Sequence, residues 1–206
     1  PRGVAIGDYN NDGLNELAFV EGDTNTLTIY AGDGTTIVKQ WFGLSVPWGV
    51  AIGDYNNDGL NELAFTEASP GNVTVYASGG TAVVKRWSGL SYPEGVATGD
   101  FNNDGLNEIA FSEGGAGRVA VYASDGTTVV EQWSSLNYPR GVAMGDYNND
   151  GLNDFASAES SGGRVTVYYQ TKHGAVVKPQ PKRQWSGLSS PEGVAIGDYN
   201  NDGLNE

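Results

Sequence analysis

Residues 7–16 read GDYNNDGLNE. The same ten letters return at 53–62 and 197–206, with one-letter variants at 99–108 and 145–154. The first Asp of each copy falls at 8, 54, 100, 146 and 198, so the steps are 46, 46, 46 and 52 residues. A period in the forties marks a chain built from one supersecondary unit used repeatedly. The recurrence runs beyond the acidic phrase. Tyr30, Tyr76, Tyr122 and Tyr168 return, as do Trp41, Trp87, Trp133 and Trp185, and Pro47, Pro93, Pro139 and Pro191 stand before each GVA.

Outward from the phrase, each repeat reads as β-structure. GVAIGD precedes it and NELAFTE follows it. NVTVYAS then alternates at period two, and AVVKRWSGL is β-branched and ends on Trp. SPG, SGG and SYPEG supply turn chemistry between them. No stretch carries helical periodicity. Four short strands per repeat predict an all-β fold, a β-propeller of four-stranded antiparallel blades with the acidic loop between strands 1 and 2. A parallel β-helix is the weaker alternative. The repeats fall at about 1–46, 47–92, 93–138 and 139–190, with a partial fifth at 191–206, giving one propeller domain over 1–206 or a fragment of one. The partial repeat raises a second expectation, a homo-oligomer or filament built through its surplus strands.

Composition sets outer limits. The chain has 206 residues, 38% hydrophobic and 11% aromatic, with 31 Gly, enough for a real core and many tight turns. It has no Cys, so it carries neither disulfides nor thiolate chemistry. No apolar run approaches membrane-spanning length, and no signal peptide is visible. The net charge of −14 argues against nucleic acid as a partner. Three acids in each of five phrases account for 15 of the 25 carboxylates, so the charge belongs to the phrase.

The phrase has the donors a hard cation requires. Asp8, Asn10 and Asp12 stand at alternate positions, Gly13 allows a sharp turn, Leu14 offers a carbonyl, and Glu16 closes the loop. Ca²⁺ takes six to eight oxygens at roughly 2.3–2.6 Å, and in its absence three carboxylates in one turn repel one another. Na⁺, K⁺ and, less readily, Mg²⁺ are the competing ions. An EF-hand is excluded. That loop needs Glu at position 12, where this chain has Phe19, Phe65, Phe111 and Ser157, and it needs flanking helices. A dockerin-like module fails for the same reason.

GDYNNDGLNELAF resembles the Asp-x-(Asp/Asn)-x-Asp-Gly-x-x-(Asp/Glu) loop of FG-GAP/VCBS repeats, found in integrin α-subunit propellers, fungal propeller lectins and bacterial surface proteins. By match to that motif the later ligand sets are Asp54, Asn56, Asp58, Leu60 and Glu62; Asp100, Asn102, Asp104, Leu106 and Glu108; Asp146, Asn148, Asp150, Leu152 and Asp154; and Asp198, Asn200, Asp202, Leu204 and Glu206. Position 9 is mostly Glu where the family often has Asp. The resemblance implies structural Ca²⁺, a secreted or cell-surface location, and a carbohydrate or protein ligand.

For the ligand, the loops opposite the acidic phrase vary most. Trp48, Tyr92 and Tyr138 are candidate aromatic platforms and Arg140 a candidate polar contact, with Glu94 and Glu192 at the positions equivalent to Trp48 and Arg140. The alternative for the tyrosines is that they cap the core. Glu21, Glu67, Glu113 and Glu159 recur at the end of strand two, either as an acidic ring or, as preferred, each bonded to a backbone N–H of a neighbouring loop. The recurring Trp and Tyr are expected between blades. A six-residue insertion in the fourth repeat, with Lys172, His173, Lys178, Pro179, Pro181, Lys182 and Arg183, reads as a tolerated surface loop or a partner contact. With one His and no Cys, no nucleophilic triad is supported, and no enzyme is expected.

Overall fold

The computed structural model describes residues 1–80, 82–170, 181–198, 200 and 202–206. Four antiparallel sheets follow one another in chain order. The first pairs β1 (Val4–Gly7), β2 (Glu16–Glu21), β3 (Thr26–Tyr30) and β4 (Ile37–Trp41). The second holds β5 (Pro47–Gly53), β6 (Glu62–Glu67), β7 (Asn72–Tyr76) and β8 (Val83–Trp87). The third holds β9 (Pro93–Gly99), β10 (Glu108–Glu113), β11 (Arg118–Tyr122) and β12 (Val129–Trp133). The fourth holds β13 (Pro139–Gly145), β14 (Asp154–Glu159), β15 (Arg164–Tyr168) and β16 (Pro181–Ser186). One 3-10 turn, Gly114–Ala116, links β10 to β11. Each sheet is a meander of neighbours, and β1, β5, β9 and β13 lie side by side about a common axis. This is a β-propeller arrangement.

The second and third blades are apolar on both faces because each is sandwiched between neighbouring blades. In β6, Leu63 and Phe65 face the first blade and join Tyr9, Val20, Leu27 and Ile29 in one buried cluster. Ala64 faces the other way and packs with Val73, Val75, Val96, Ile109 and Phe111. ELAF is therefore a nearly continuous apolar run, not an alternating one. The recurring aromatics complete each interface. Trp87 lies 5.3 Å from Phe111 and 5.6 Å from Tyr122, and Trp133 stacks on Phe155 at 4.5 Å. As expected, Trp41, Trp87 and Trp133 with Tyr76, Tyr122 and Tyr168 are inter-blade core, whereas Tyr30 stacks on Phe19 of its own blade and Trp185 is 38% exposed.

The inner strands approach closely through one glycine per repeat. A Cβ on Gly49 would stand 2.2 Å from the Glu94 carbonyl oxygen, and one on Gly95 2.1 Å from that of Arg140. Glycine in P-x-G-V-A is thus a packing requirement. At the same level a hydroxyl stitches three strands together. Gly49 N–H donates to Thr66 Oγ1 at 2.8 Å, and Thr66 donates to the Glu94 carbonyl at 2.8 Å. Ser112 repeats this between Gly95 N–H and the Arg140 carbonyl, both at 2.8 Å.

The partial fifth repeat continues the series. Val194 and Ile196 pack on the fourth blade, though 191–196 forms no strand ladder. On the first blade the corresponding face is open. Val4 and Ile6 are 67% and 69% exposed, and Leu17 is 37% exposed where its equivalent Leu63 is 0%. The insertion between β15 and β16, at 171–180, lies outside the described residues.

Candidate functional site

Each of the first four acidic phrases forms the connection between the first and second strands of a blade, and the fifth repeats the loop beyond β16. In the first, Asp8 accepts hydrogen bonds from Asp12 N–H at 3.0 Å and Gly13 N–H at 2.8 Å, and Asp12 accepts from Leu14 N–H at 2.9 Å. These Asx turns wrap the chain around its own carboxylates. Gly13 sits at φ +90°, with Gly59, Gly105, Gly151 and Gly203 between +87° and +92°, where a side chain would be strained. Leu14, Leu60, Leu106 and Leu204 are exposed, so they are not there for the core. Glu16 is buried and accepts from Tyr9 N–H at 2.9 Å and Asn10 N–H at 3.2 Å. Glu62 and Glu108 repeat this with Tyr55 and Asn56, and with Phe101 and Asn102.

In the fourth loop the shorter Asp154 accepts from Tyr147 N–H, Asn148 N–H and Gln170 N–H at 3.2, 3.3 and 3.0 Å. In the fifth, Gly197 and Glu206 exchange backbone bonds of 3.4 and 3.0 Å, and Asn200 donates to Glu206 at 3.0 Å, closing a loop whose acid is exposed.

The donor set fits a hard cation, on two observations. Asn10 Nδ2 stands between two carboxylates, 3.0 Å from Asp12 and 3.3 Å from Glu16, so an amide dipole holds the place that favours positive charge. In the fourth loop Asn148 Oδ1 is buried and accepts no hydrogen bond. Burial also pushes Glu62 and Asp154 above the usual carboxylate range and Glu108 up to about 7, with the neighbouring Asp carboxylates adding to it. Among the described residues no three Asp, Glu or His groups form a preassembled cage. The acids instead spread onto backbone N–H groups, as like charges do.

The phrases are joined to one another by residues that the ligand pattern skips. Asn61 N–H donates to Asn11 Oδ1 at 3.0 Å, and Asn61 Nδ2 donates to the Asp8 carbonyl at 2.7 Å. Asn107 makes the same pair with Asn57 and Asp54, both at 2.7 Å. Asn153 does so with Asn103 and Asp100 at 2.9 and 2.7 Å, and Asn205 with Asn149 and Asp146 at 2.7 and 2.9 Å. Asn11, Asn57, Asn103 and Asn149 hold φ near +60°, which Asn tolerates. The sequence signal was available: positions 4 and 8 of the phrase are Asn in every copy.

At the opposite end of the axis the variable position of P-x-G forms a ring of Arg2, Trp48, Glu94, Arg140 and Glu192 around a cavity of about 690 Å³. Trp48 is not a bare platform. The Arg2 guanidinium lies 4.2 Å from its ring centre and that of Arg140 5.0 Å. Arg140 also stands over Tyr138 at 5.3 Å, is 3.0 Å from the buried Glu94, and pairs with Glu192. Burial pushes Glu94 up to about 7, against the pull of Arg140. Tyr138 is half-buried against Gly114, while Tyr92 is 55% exposed. Val46, Tyr92, Tyr138 and Ser190, just before the prolines, all hold φ between +46° and +54°. The recurring Glu residues form no open acidic ring. Glu67 accepts from Ser45 N–H at 2.8 Å, Glu113 from Ser91 N–H at 3.1 Å and Glu159 from Asn137 N–H at 2.7 Å. Arg118 and Arg164 pair with the last two. Glu21 bonds Thr24 and Thr26.

Four-stranded blades around an axis, joined through repeated acidic loops, define a repeat propeller. The chain belongs to the FG-GAP-like repeat family, whose pattern matches residues 8–65, 54–111, 100–157 and 146–206. No curated protein sequence matches it significantly. Among solved structures it is similar to BBS1N in its complex with ARL6DN, at 18% identity over 82% of this chain and 51% of that one, TM-score 0.58. The V. cholerae biofilm matrix protein Bap1 matches at 18% identity over 94% of this chain and 30% of that one, TM-score 0.60. A chain of the nidogen–laminin complex matches at 16% identity over 97% and 68%, TM-score 0.62. The chain spans about half the length of the BBS1N chain it matches. These likenesses establish the fold alone.

Proposed function

We propose that the chain is a Ca²⁺-stabilised, non-catalytic binding module that works outside the cell or on its surface. The observation that carries the calcium reading is the repeated loop, in which Asp, Asn and Asp side chains and a position-9 carboxylate, buried in the first four copies, surround one turn. Asp8, Asn10, Asp12, the Leu14 carbonyl and Glu16, and their equivalents in the later repeats, would hold the ion. Bound Ca²⁺ supplies positive charge to acids that otherwise crowd together. Ligand capture is assigned to the axial face, where Trp48, Arg140, Arg2 and Glu94 line a cavity of small-ligand size, with Tyr138 beside Arg140. A carbohydrate or a protein surface suits these aromatic and guanidinium groups. Two of the similar structures are protein complexes, BBS1N with ARL6DN and nidogen with laminin, and a third is a biofilm matrix protein. All three accord with a binding role.

The test is a thermal melt with Ca²⁺ and with excess EGTA. At 100 times Kd, one ion per folded chain adds about 2.7 kcal/mol. A melting temperature indifferent to EGTA overturns the calcium reading. A second reading, self-assembly, is favoured by the exposed face of Val4, Ile6 and Leu17. Light scattering separates the two, since assembly predicts mass rising with concentration.

A further inference from the structure

The asparagine rungs join loops that the calcium reading treats as separate sites. Asn61 lies between Leu60 and Glu62, two donors of the second loop, yet it grips the Asp8 carbonyl and the Asn11 amide of the first. Asn107, Asn153 and Asn205 do the same one repeat further on. Position 8 of each later loop is therefore fixed to positions 1 and 4 of the loop before it. None of these asparagines belongs to a ligand set. Asn15, at position 8 of the first loop, is exposed and makes no such rung.

Fixing the backbone of a loop costs roughly 1–2 kcal/mol per residue in conformational entropy. Through a shared rung, the loop that is ordered first lowers that cost for its neighbour, and the coupling is reciprocal. We infer that the rungs make Ca²⁺ binding cooperative from blade to blade, with Asn57, Asn107 and their equivalents as positioning residues that transmit order between loops. The inference rests on the calcium reading and adds to it that the sites do not fill independently.

The experiment is calorimetric titration of Ca²⁺ into the chelator-stripped full chain. Three variants accompany it, each checked for β-sheet circular dichroism in saturating Ca²⁺. Asn57→Gly keeps the left-handed backbone and removes the acceptor for Asn107 N–H. Asn107→Ala removes the amide that grips the Asp54 carbonyl and serves if the first variant does not fold. Asn15→Ala alters the same loop position where no rung exists. Filling one linked site typically changes the affinity of the other by about 5- to 150-fold. The expected result is a Hill coefficient above 1 for the native chain. Asn57→Gly or Asn107→Ala should lower it toward 1 and weaken mean affinity at least about fivefold, while Asn15→Ala leaves the slope unchanged. Calcium binding with a native Hill coefficient of 1, or equal slopes in all four proteins, overturns the coupling and leaves the calcium reading standing. Absence of any Ca²⁺ binding overturns both.

Discussion

Replacing Gly95 with Ala puts a methyl carbon 2.1 Å from the Arg140 carbonyl oxygen and 3.1 Å from both Arg140 C and Val142 N. Carbon and oxygen settle at about 3.3–3.6 Å. β9 and β13 must therefore part by about 1 Å, and the obstacle is backbone, which cannot swing aside. The Ser112 hydroxyl that bridges Gly95 N–H to the same carbonyl is pulled off its 2.8 Å bonds as the gap opens. Overpacking of this kind costs about 1–3 kcal/mol, roughly 3–10 °C in Tm for a chain this size. The control lies in the same chain. Gly193 occupies the identical motif position in the fifth repeat, and a Cβ there meets nothing within 4 Å. Differential scanning calorimetry of Gly95→Ala and Gly193→Ala should show a clear loss for the first and none for the second. Equal effects would refute the packing of inner strands described above.

Other consequences are as direct. Thr66→Val leaves Gly49 N–H and the Glu94 carbonyl without their shared partner and should cost about 1–3 kcal/mol in urea titration. Trp87→Ala, which opens contacts to Tyr55, Phe111 and Tyr122, should cost about 3–5 kcal/mol, and Trp185→Ala, 38% exposed, much less. Glu94 is raised by burial to about 7 in the folded state, above its unfolded value. Between the two values the folded chain binds more protons, so the stabilising contribution is complete at pH 4 and is lost as pH rises through 7. Urea midpoints measured in EGTA at several pH values should fall over that window, and less steeply for Glu94→Gln.

The blade was legible because its parts are short-range. Period, Asn-Gly-rich turns and β-branched runs predict the four strands, and the recurring Trp and Tyr are where inter-blade contacts demand them. The acidic loop's place between the first and second strands was legible for the same reason, its turn residues lying within nine residues of sequence. What escaped reading was long-range. Asn11 and Asn61 look like filler in a turn until the fold sets consecutive loops side by side. Thr66 and Ser112 look like ordinary strand residues until their hydroxyls are seen to bridge blades. Trp48 reads as a free aromatic platform, but Arg2 and Arg140, one repeat before and two repeats after it, meet over its ring. Only the side-by-side packing of the inner strands about the axis brings those three together.

The central claim is that each loop of Asp, Asn and Asp with its closing acid holds one Ca²⁺ ion. Equilibrium dialysis of the native chain against buffer containing millimolar free Ca²⁺, with atomic-emission analysis of both compartments, measures that ratio directly. The account predicts five ions per chain, one per loop, each lost when the position-9 acid of its loop is replaced by Ala. A chain that retains no Ca²⁺ under these conditions, yet is fully folded, would contradict it.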